Sequence, residues 1–175
     1  MKKTVTLIIF VIVFYIAAPN IVEGAVTIPD NAIRIRIVPN SNADEDQNIK
    51  KKVQKDVQKS MYNLLKDTKD SDEADKVIKE NLPKIDNEVK EVLSKEHYNL
   101  DYNINYGYNY FPEKHYKGVT YDEGYYKSLL ITLGAGEGDN WWCVLFPPLC
   151  LIEADENTDV EYKSLVQEIV KKYMK

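Results

Sequence analysis

The stretch Ala32-Ile33-Arg34-Ile35-Arg36-Ile37-Val38 places an isoleucine at every second position and a charged residue between. This two-residue period is typical of a β-strand with one buried face and one face in water. We therefore expect Arg34 and Arg36, the only arginines in the chain, to lie on the solvated face. The polar segment Pro39-Asn40-Ser41-Asn42 then turns the chain.

Two amphipathic helical patterns follow this turn. From Asp44 to about Lys66, apolar residues recur every three or four positions, with lysines between them. Ser41 or Asn42 can cap this first helix. The second pattern extends from Ala74 to Leu93 and contains Pro83, so we expect a kink or a split into two helices near Asn81.

The second half of the chain has the two-residue period of strands. Alternation predicts strands at 102–110, 117–121, 126–133 and 141–146, with a glycine turn at 134–138 and a closing helix at 160–173. Segregated helices and hairpin-linked strands favour the α+β class. We expect a mainly antiparallel sheet of about four to five strands packed against two to four helices. Residues 32–175 then form a single globular domain.

The N-terminal segment, residues 1–25, has the pattern of a targeting sequence. Two lysines precede 14 uncharged residues, Val5 to Ala18, which match the apolar core of a secretory signal. An uncleaved membrane anchor is the alternative, because further apolar residues follow Pro19. Residues 26–31 read as a short linker. We therefore expect an exported protein that is either secreted or held near a membrane by this segment.

The composition argues against several classes of function. With 28 acidic and 23 basic residues the net charge is −5, which disfavours nucleic-acid binding. Two histidines and two cysteines are too few for a multi-ligand metal centre, and we expect neither a metal nor a cofactor. Asp139 stands where a dinucleotide-binding fingerprint needs its last glycine, and a strand follows. A glycine hairpin is the favoured interpretation, and no credible catalytic set is present.

Cys143 and Cys150 are separated by six mostly apolar residues. In an exported protein such a pair favours a structural disulfide over a redox catalyst. Two buried free thiols are the alternative, because the segment is apolar enough to lie in a core.

Several motifs resemble one known family. Residues 140–150, Asn-Trp-Trp-Cys-Val-Leu-Phe-Pro-Pro-Leu-Cys, follow Gly134-x-Gly136-x-Gly138 and resemble the hallmark of the stage II sporulation protein R family. Ile35-x-Ile37-x-Pro39-Asn40-Ser41 and Phe111-Pro112-x-Lys114-x-Tyr116 resemble the first strand and the middle section of that family. These matches extend from about residue 33 to 150.

The resemblance implies a role in endospore formation. Family members are made in the forespore and exported into the space between the forespore and mother-cell membranes. There they signal to a membrane-embedded aspartic protease, which then cleaves the pro-form of sigma factor E. The resemblance therefore implies an intercellular signalling protein with this protease as its partner, and not an enzyme.

We expect the glycine turn and the segment that follows it to contact the protease. The expected partner-binding residues are Gly134, Gly136, Gly138, Asn140, Trp141, Trp142, Phe146, Pro147, Pro148 and Leu149, with Trp142, Phe146 and Leu149 as anchors. One alternative is that this segment is simply the core hairpin of the domain. Another is a secreted hydrolase or peptidoglycan-binding module that uses the tyrosine-rich strands.

Overall fold

A computed structural model of the chain describes residues 28–116, 119–149 and 159–173, with side chains from Val166 onward in the last range. The predicted targeting segment, residues 1–25, lies outside the described residues. The strands are β1 (Ile33–Val38), β2 (Tyr102–Phe111), β3 (Lys114–Tyr116), β4 (Val119–Tyr121), β5 (Gly124–Leu133) and β6 (Trp141–Phe146). The helices are α1 (Asp44–Leu65), α2 (Ser71–Lys95) and α3 (Asp159–Tyr173).

Four strands form one mixed sheet in the order β2-β5-β1-β6. The interior strand β1 pairs parallel with β5 and antiparallel with β6. The long strands β2 and β5 pair antiparallel, and β3 and β4 form a separate antiparallel hairpin. The structure therefore confirms the predicted α+β class with a mainly antiparallel arrangement.

Helices α1 and α2 cover one face of the sheet. Their apolar stripes pack on the isoleucines of β1 and on the inward residues of β5, which is the burial that the helical period predicts. Helix α2 continues through Pro83, which is exposed, so the predicted split into two helices does not occur. The buried core on this face includes Ile35, Ile37, Val53, Val57, Ile78, Ile85, Val89, Leu129 and Ile131.

A second, smaller core lies on the opposite face of the sheet. The β3–β4 hairpin and α3 supply part of it, and Trp142 packs at its border. Ile28 belongs to this core, so the predicted linker at 26–31 contributes a buried side chain. The buried members are Ile28, Ala32, Val119, Tyr121, Val144, Leu149 and Val166. Among the described helices, none is both long and apolar enough to cross a membrane.

Two further local predictions were wrong, one about the glycine turn and one about Arg34. The glycine turn is not a hairpin, because β6 pairs with β1 and not with β5. The chain instead passes from β5 across the end of β1 to reach the far edge of the sheet. Arg34 is not solvated, because the second core covers that face and leaves its side chain 0% exposed.

Candidate functional site

The candidate site is built around residues 134–139, which we call the glycine loop. It lies against the turn between β1 and α1. All six backbone N–H groups of the loop donate hydrogen bonds. The acceptors are the backbone oxygens of Pro39, Asn40, Asp101 and Leu133 and the side-chain oxygens of Asn40 and Asn42, at 2.6–3.3 Å. With its donors used internally, the loop has none to offer a phosphate group.

All three glycines are required by this close packing, since Gly136 has a φ of +68° and a Cβ atom there would overlap the Thr132 side chain. Gly134 has a φ of +58°, which L-residues rarely adopt, and a Cβ atom there would overlap the Asn40 side chain. At Gly138 a Cβ atom would overlap the backbone carbonyl of Ser41. The predicted partner-binding glycines thus have a structural role in seating the loop.

Polar side chains fix the turn beneath the loop. Asp46 accepts hydrogen bonds from Asn40 and Ser41, and these bonds lower the pKa of its carboxyl group. The buried Lys50 ammonium donates to the Asp139 carbonyl oxygen at 2.7 Å and to the Gln47 side chain, while burial lowers its pKa. Neither Ser41 nor Asn42 caps α1 in the predicted way, because Ala43 occupies the N-cap position.

The outward side of the glycine loop is acidic. Ala135, Glu137 and Asp139 alternate with the glycines, and all three are exposed. The loop therefore presents two carboxylates to solvent on a backbone that is held from below. Such a preformed surface can bind a partner with little loss of conformational entropy.

The segment after the loop forms the edge strand β6. Trp141 packs toward the helix-covered core and Trp142 toward the second core, so the two rings point to opposite faces of the sheet. The Trp142 ring lies 4.8 Å from the Tyr121 ring in an edge-to-face arrangement. With its amide oriented to accept, Asn140 receives hydrogen bonds from Arg36 at 2.9 and 3.2 Å.

Two of the predicted anchors are inside the protein. Phe146 is 0% exposed, and Leu149 is buried in the second core. Pro147 is also buried, whereas Pro148 and Trp142 are half-buried. The accessible part of the predicted contact surface is the glycine loop, together with the half-buried residues Asn140, Trp141, Trp142 and Pro148. The positions of Phe146 and Leu149 fit the alternative in which the segment belongs to the core.

Cys143 of β6 carries no free thiol. Its predicted partner, Cys150, lies outside the described residues, so their pairing stays a prediction. Nearby, Met61, Tyr62 and Leu65 of α1 line a shallow apolar groove with Leu145 and Pro148. In the ranges 28–116, 119–149 and 166–173, no group of three or more His, Cys, Asp and Glu side chains is placed to hold a metal ion.

The sequence pattern did not predict that the side chain of Arg34 is buried among aromatic rings. Its guanidinium carbon lies 3.4 Å from the centre of the Tyr126 ring and 5.2 Å from that of Phe111. Among the described residues, no hydrogen-bond acceptor is placed to accept from its three side-chain nitrogens. Burial lowers its pKa, and the nearby Tyr126, Tyr121 and Asp122 oppose that shift. The aromatic residues around it come from distant parts of the chain, so the spacing of the first strand could not reveal this cage.

The described residues thus form an α+β fold with an acidic, internally hydrogen-bonded loop at one end of the sheet. The family model described as stage II sporulation protein R matches residues 29–156. Stage II sporulation protein R of Bacillus subtilis (strain 168) is 39% identical over 165 residues, covering 87% of this chain and 73% of that relative. The chain belongs to the stage II sporulation protein R family. No solved structure matches it.

Proposed function

We propose that this chain is an exported sporulation signal that activates the membrane aspartic protease responsible for processing pro-sigma-E. It would act between the forespore and mother-cell membranes and so link gene expression in the two compartments. Membership of the family supports the sporulation role. The N-terminal sequence pattern supports export.

The observation that carries a binding role is the glycine loop. Every backbone N–H from residue 134 to 139 is hydrogen-bonded within the domain, so the loop has one shape before a partner arrives. The exposed side chains of Glu137 and Asp139 make that shape acidic. A partner surface with basic or hydrogen-bond-donating groups complements it.

Binding can switch on a protease without any chemistry by the ligand. An aspartic protease needs two carboxylates that share a proton. A ligand that binds the assembled protease more tightly than the separate halves shifts the population toward the active form. A preference of 100-fold corresponds to about 2.8 kcal/mol, which a few well-placed contacts can supply.

The test is reconstitution in a host that does not form spores. The chain is co-expressed with the candidate protease and its pro-sigma-E substrate, and cleavage of the substrate is followed by immunoblot. The wild-type chain should produce cleavage, and the double variant Glu137→Lys/Asp139→Lys should reduce it at least tenfold. Both side chains are exposed, so circular dichroism of the double variant should match the wild type.

The control is Glu91→Lys on α2, a charge reversal at a similarly exposed side chain far along the sequence from the loop. This variant should signal normally. Cleavage that does not depend on the wild-type chain would end the proposed function. Full cleavage with the loop double variant would instead remove the glycine loop as the contact.

Phe146→Ala is a poor probe of docking because Phe146 is fully buried. Truncating a buried phenylalanine costs about 3–5 kcal/mol, so loss of signalling in this variant would report unfolding. Thermal melts of purified Phe146→Ala should show that loss directly.

A further inference from the structure

Among the described strands, β2 lies at one edge of the four-stranded sheet. It pairs with β5 through ten residue pairs without a register shift, and no other described strand pairs with it. An edge strand leaves the N–H and C=O groups of alternate residues unpaired. Proteins normally guard such edges with charged residues, proline, bulges or short length, yet β2 contains no charged residue and no proline.

The sequence of β2 is nearly symmetric about Tyr106. Residues 102–110 read Tyr-Asn-Ile-Asn-Tyr-Gly-Tyr-Asn-Tyr. If a second copy ran antiparallel about a two-fold axis at Tyr106, Tyr102 would face Tyr110 and Asn103 would face Asn109. Aromatic or aliphatic residues would then meet on one face and polar residues on the other, with no like charges opposed. This self-complementarity is what an isologous interface requires.

The exposure of the tyrosines fits such pairing. The hydroxyl groups of Tyr102 and Tyr106 donate to Asp86 and Asp75 of α2, so α2 contacts the first half of β2. Tyr108 is 70% exposed and Tyr110 is also exposed. In an antiparallel pair, the exposed half of one strand, with Tyr108 and Tyr110, would lie beside the half of the other strand that contacts α2.

We propose that β2 pairs with β2 of a second copy of this chain, joining the two four-stranded sheets into one across a two-fold axis at Tyr106. This proposal does not depend on the proposed function. If both hold, the dimer presents two identical glycine loops, which suits a partner that must bring two carboxylates together.

The test is the oligomeric state of the exported protein in solution, measured as its mass. Sedimentation-equilibrium analysis of the wild type should give a dimer at micromolar concentration. Tyr108→Lys places a charge on the edge strand and should raise the dimer dissociation constant at least tenfold. Tyr62→Lys is the matched control, since Tyr62 is 44% exposed on α1, outside the proposed interface. It should leave the constant unchanged within about twofold.

Hydrogen exchange provides a second measurement. Amide groups of β2 should exchange more slowly as the wild-type concentration rises, and those of Tyr108→Lys should not respond. The proposal would be overturned if the wild type stayed monomeric up to about 100-fold above micromolar concentration. It would also be overturned if Tyr108→Lys dimerised as tightly as the wild type. Binding of peptidoglycan fragments by a monomer, lost in Tyr108→Lys, would also overturn it and assign the tyrosines to sugar recognition.

Discussion

The alternation of β1 correctly predicts that Arg34 lies on the face opposite the isoleucines, but it wrongly predicts that this face is exposed to solvent. Alternation separates Ile35 and Ile37 from Arg34, and the structure agrees. What alternation does not give is whether the second face is covered. Here the covering residues, among them Phe111, come from strands far away in sequence.

A charge without hydrogen-bond partners in a covered site costs stability, and cation–π contacts recover part of it. We therefore expect Arg34→Met to keep or raise the free energy of unfolding, by up to about 3 kcal/mol. Urea unfolding followed by circular dichroism measures this change. The control, Arg36→Met, removes hydrogen bonds to Asn140 and should lower the free energy by about 1 kcal/mol. Strong destabilisation by Arg34→Met would show that the aromatic cage outweighs the cost of burial.

Asp75 ties α2 to the β2–β5 edge. Burial alone would raise the pKa of this carboxyl, but hydrogen bonds from Lys79, Lys127 and Tyr106 lower it to about 2. A lowered carboxylate pKa stabilises the fold above the unfolded-state pKa, near 3.9. This contribution is lost as the pH falls through about 2.

Asp75→Asn should therefore cost about 2 kcal/mol of unfolding free energy at pH 7. The difference from wild type should shrink between about pH 4 and pH 2, since the wild-type carboxylate then becomes protonated. Chemical unfolding at a series of pH values tests this prediction. Glu91→Gln, which removes one exposed ion pair with Lys95, should change stability by less than about 0.5 kcal/mol. A difference in unfolding free energy between wild type and Asp75→Asn that stays constant down to pH 2 would contradict the lowered pKa of Asp75.

At the scale of elements, the periodic segments were predictable and the loops were not. The helices and the long strands appear close to their predicted bounds because their apolar periods are regular. The short strand β3 was missed, since three exposed residues carry no alternation signal. The path of the glycine loop depends on contacts with Asn40 and Asn42, about 95 residues away, which no local pattern contains.

The packing of the glycine loop makes a direct prediction. Gly138→Ala forces a methyl group against the Ser41 carbonyl and should destabilise the domain by about 1–3 kcal/mol. Amide exchange at residues 135–139 should accelerate in this variant, because the loop must lift from the turn. Gly107→Ala is the control, since a Cβ atom there would lie at an ordinary 3.6 Å from Oδ1 of Asn105. Equal protection of the loop in both variants would argue against a rigidly seated loop.

At the scale of the whole molecule, one sheet is shared by two cores of unequal size. The class was predictable from the order of helices and strands, but the second core was not, because the sequence gives no sign that β1 lies between β5 and β6. Since β6 contributes residues to both cores, and Ala32 of the second core directly precedes β1, breaking one core should disturb the other. The domain should then unfold in a single cooperative transition.

The two tryptophans can test this cooperativity because they report on different cores. Trp142→Phe leaves Trp141 as a probe of the helix-covered core, and Trp141→Phe leaves Trp142 as a probe of the second core. In each variant, the urea midpoint from fluorescence should equal the midpoint from circular dichroism, because both probes follow the same transition. A fluorescence midpoint in Trp141→Phe that falls about 0.5 M urea or more below its circular dichroism midpoint would show the second core opening first. The β3–β4 hairpin would then be a separately folding layer, and Arg34 would gain access to solvent before the sheet unfolds.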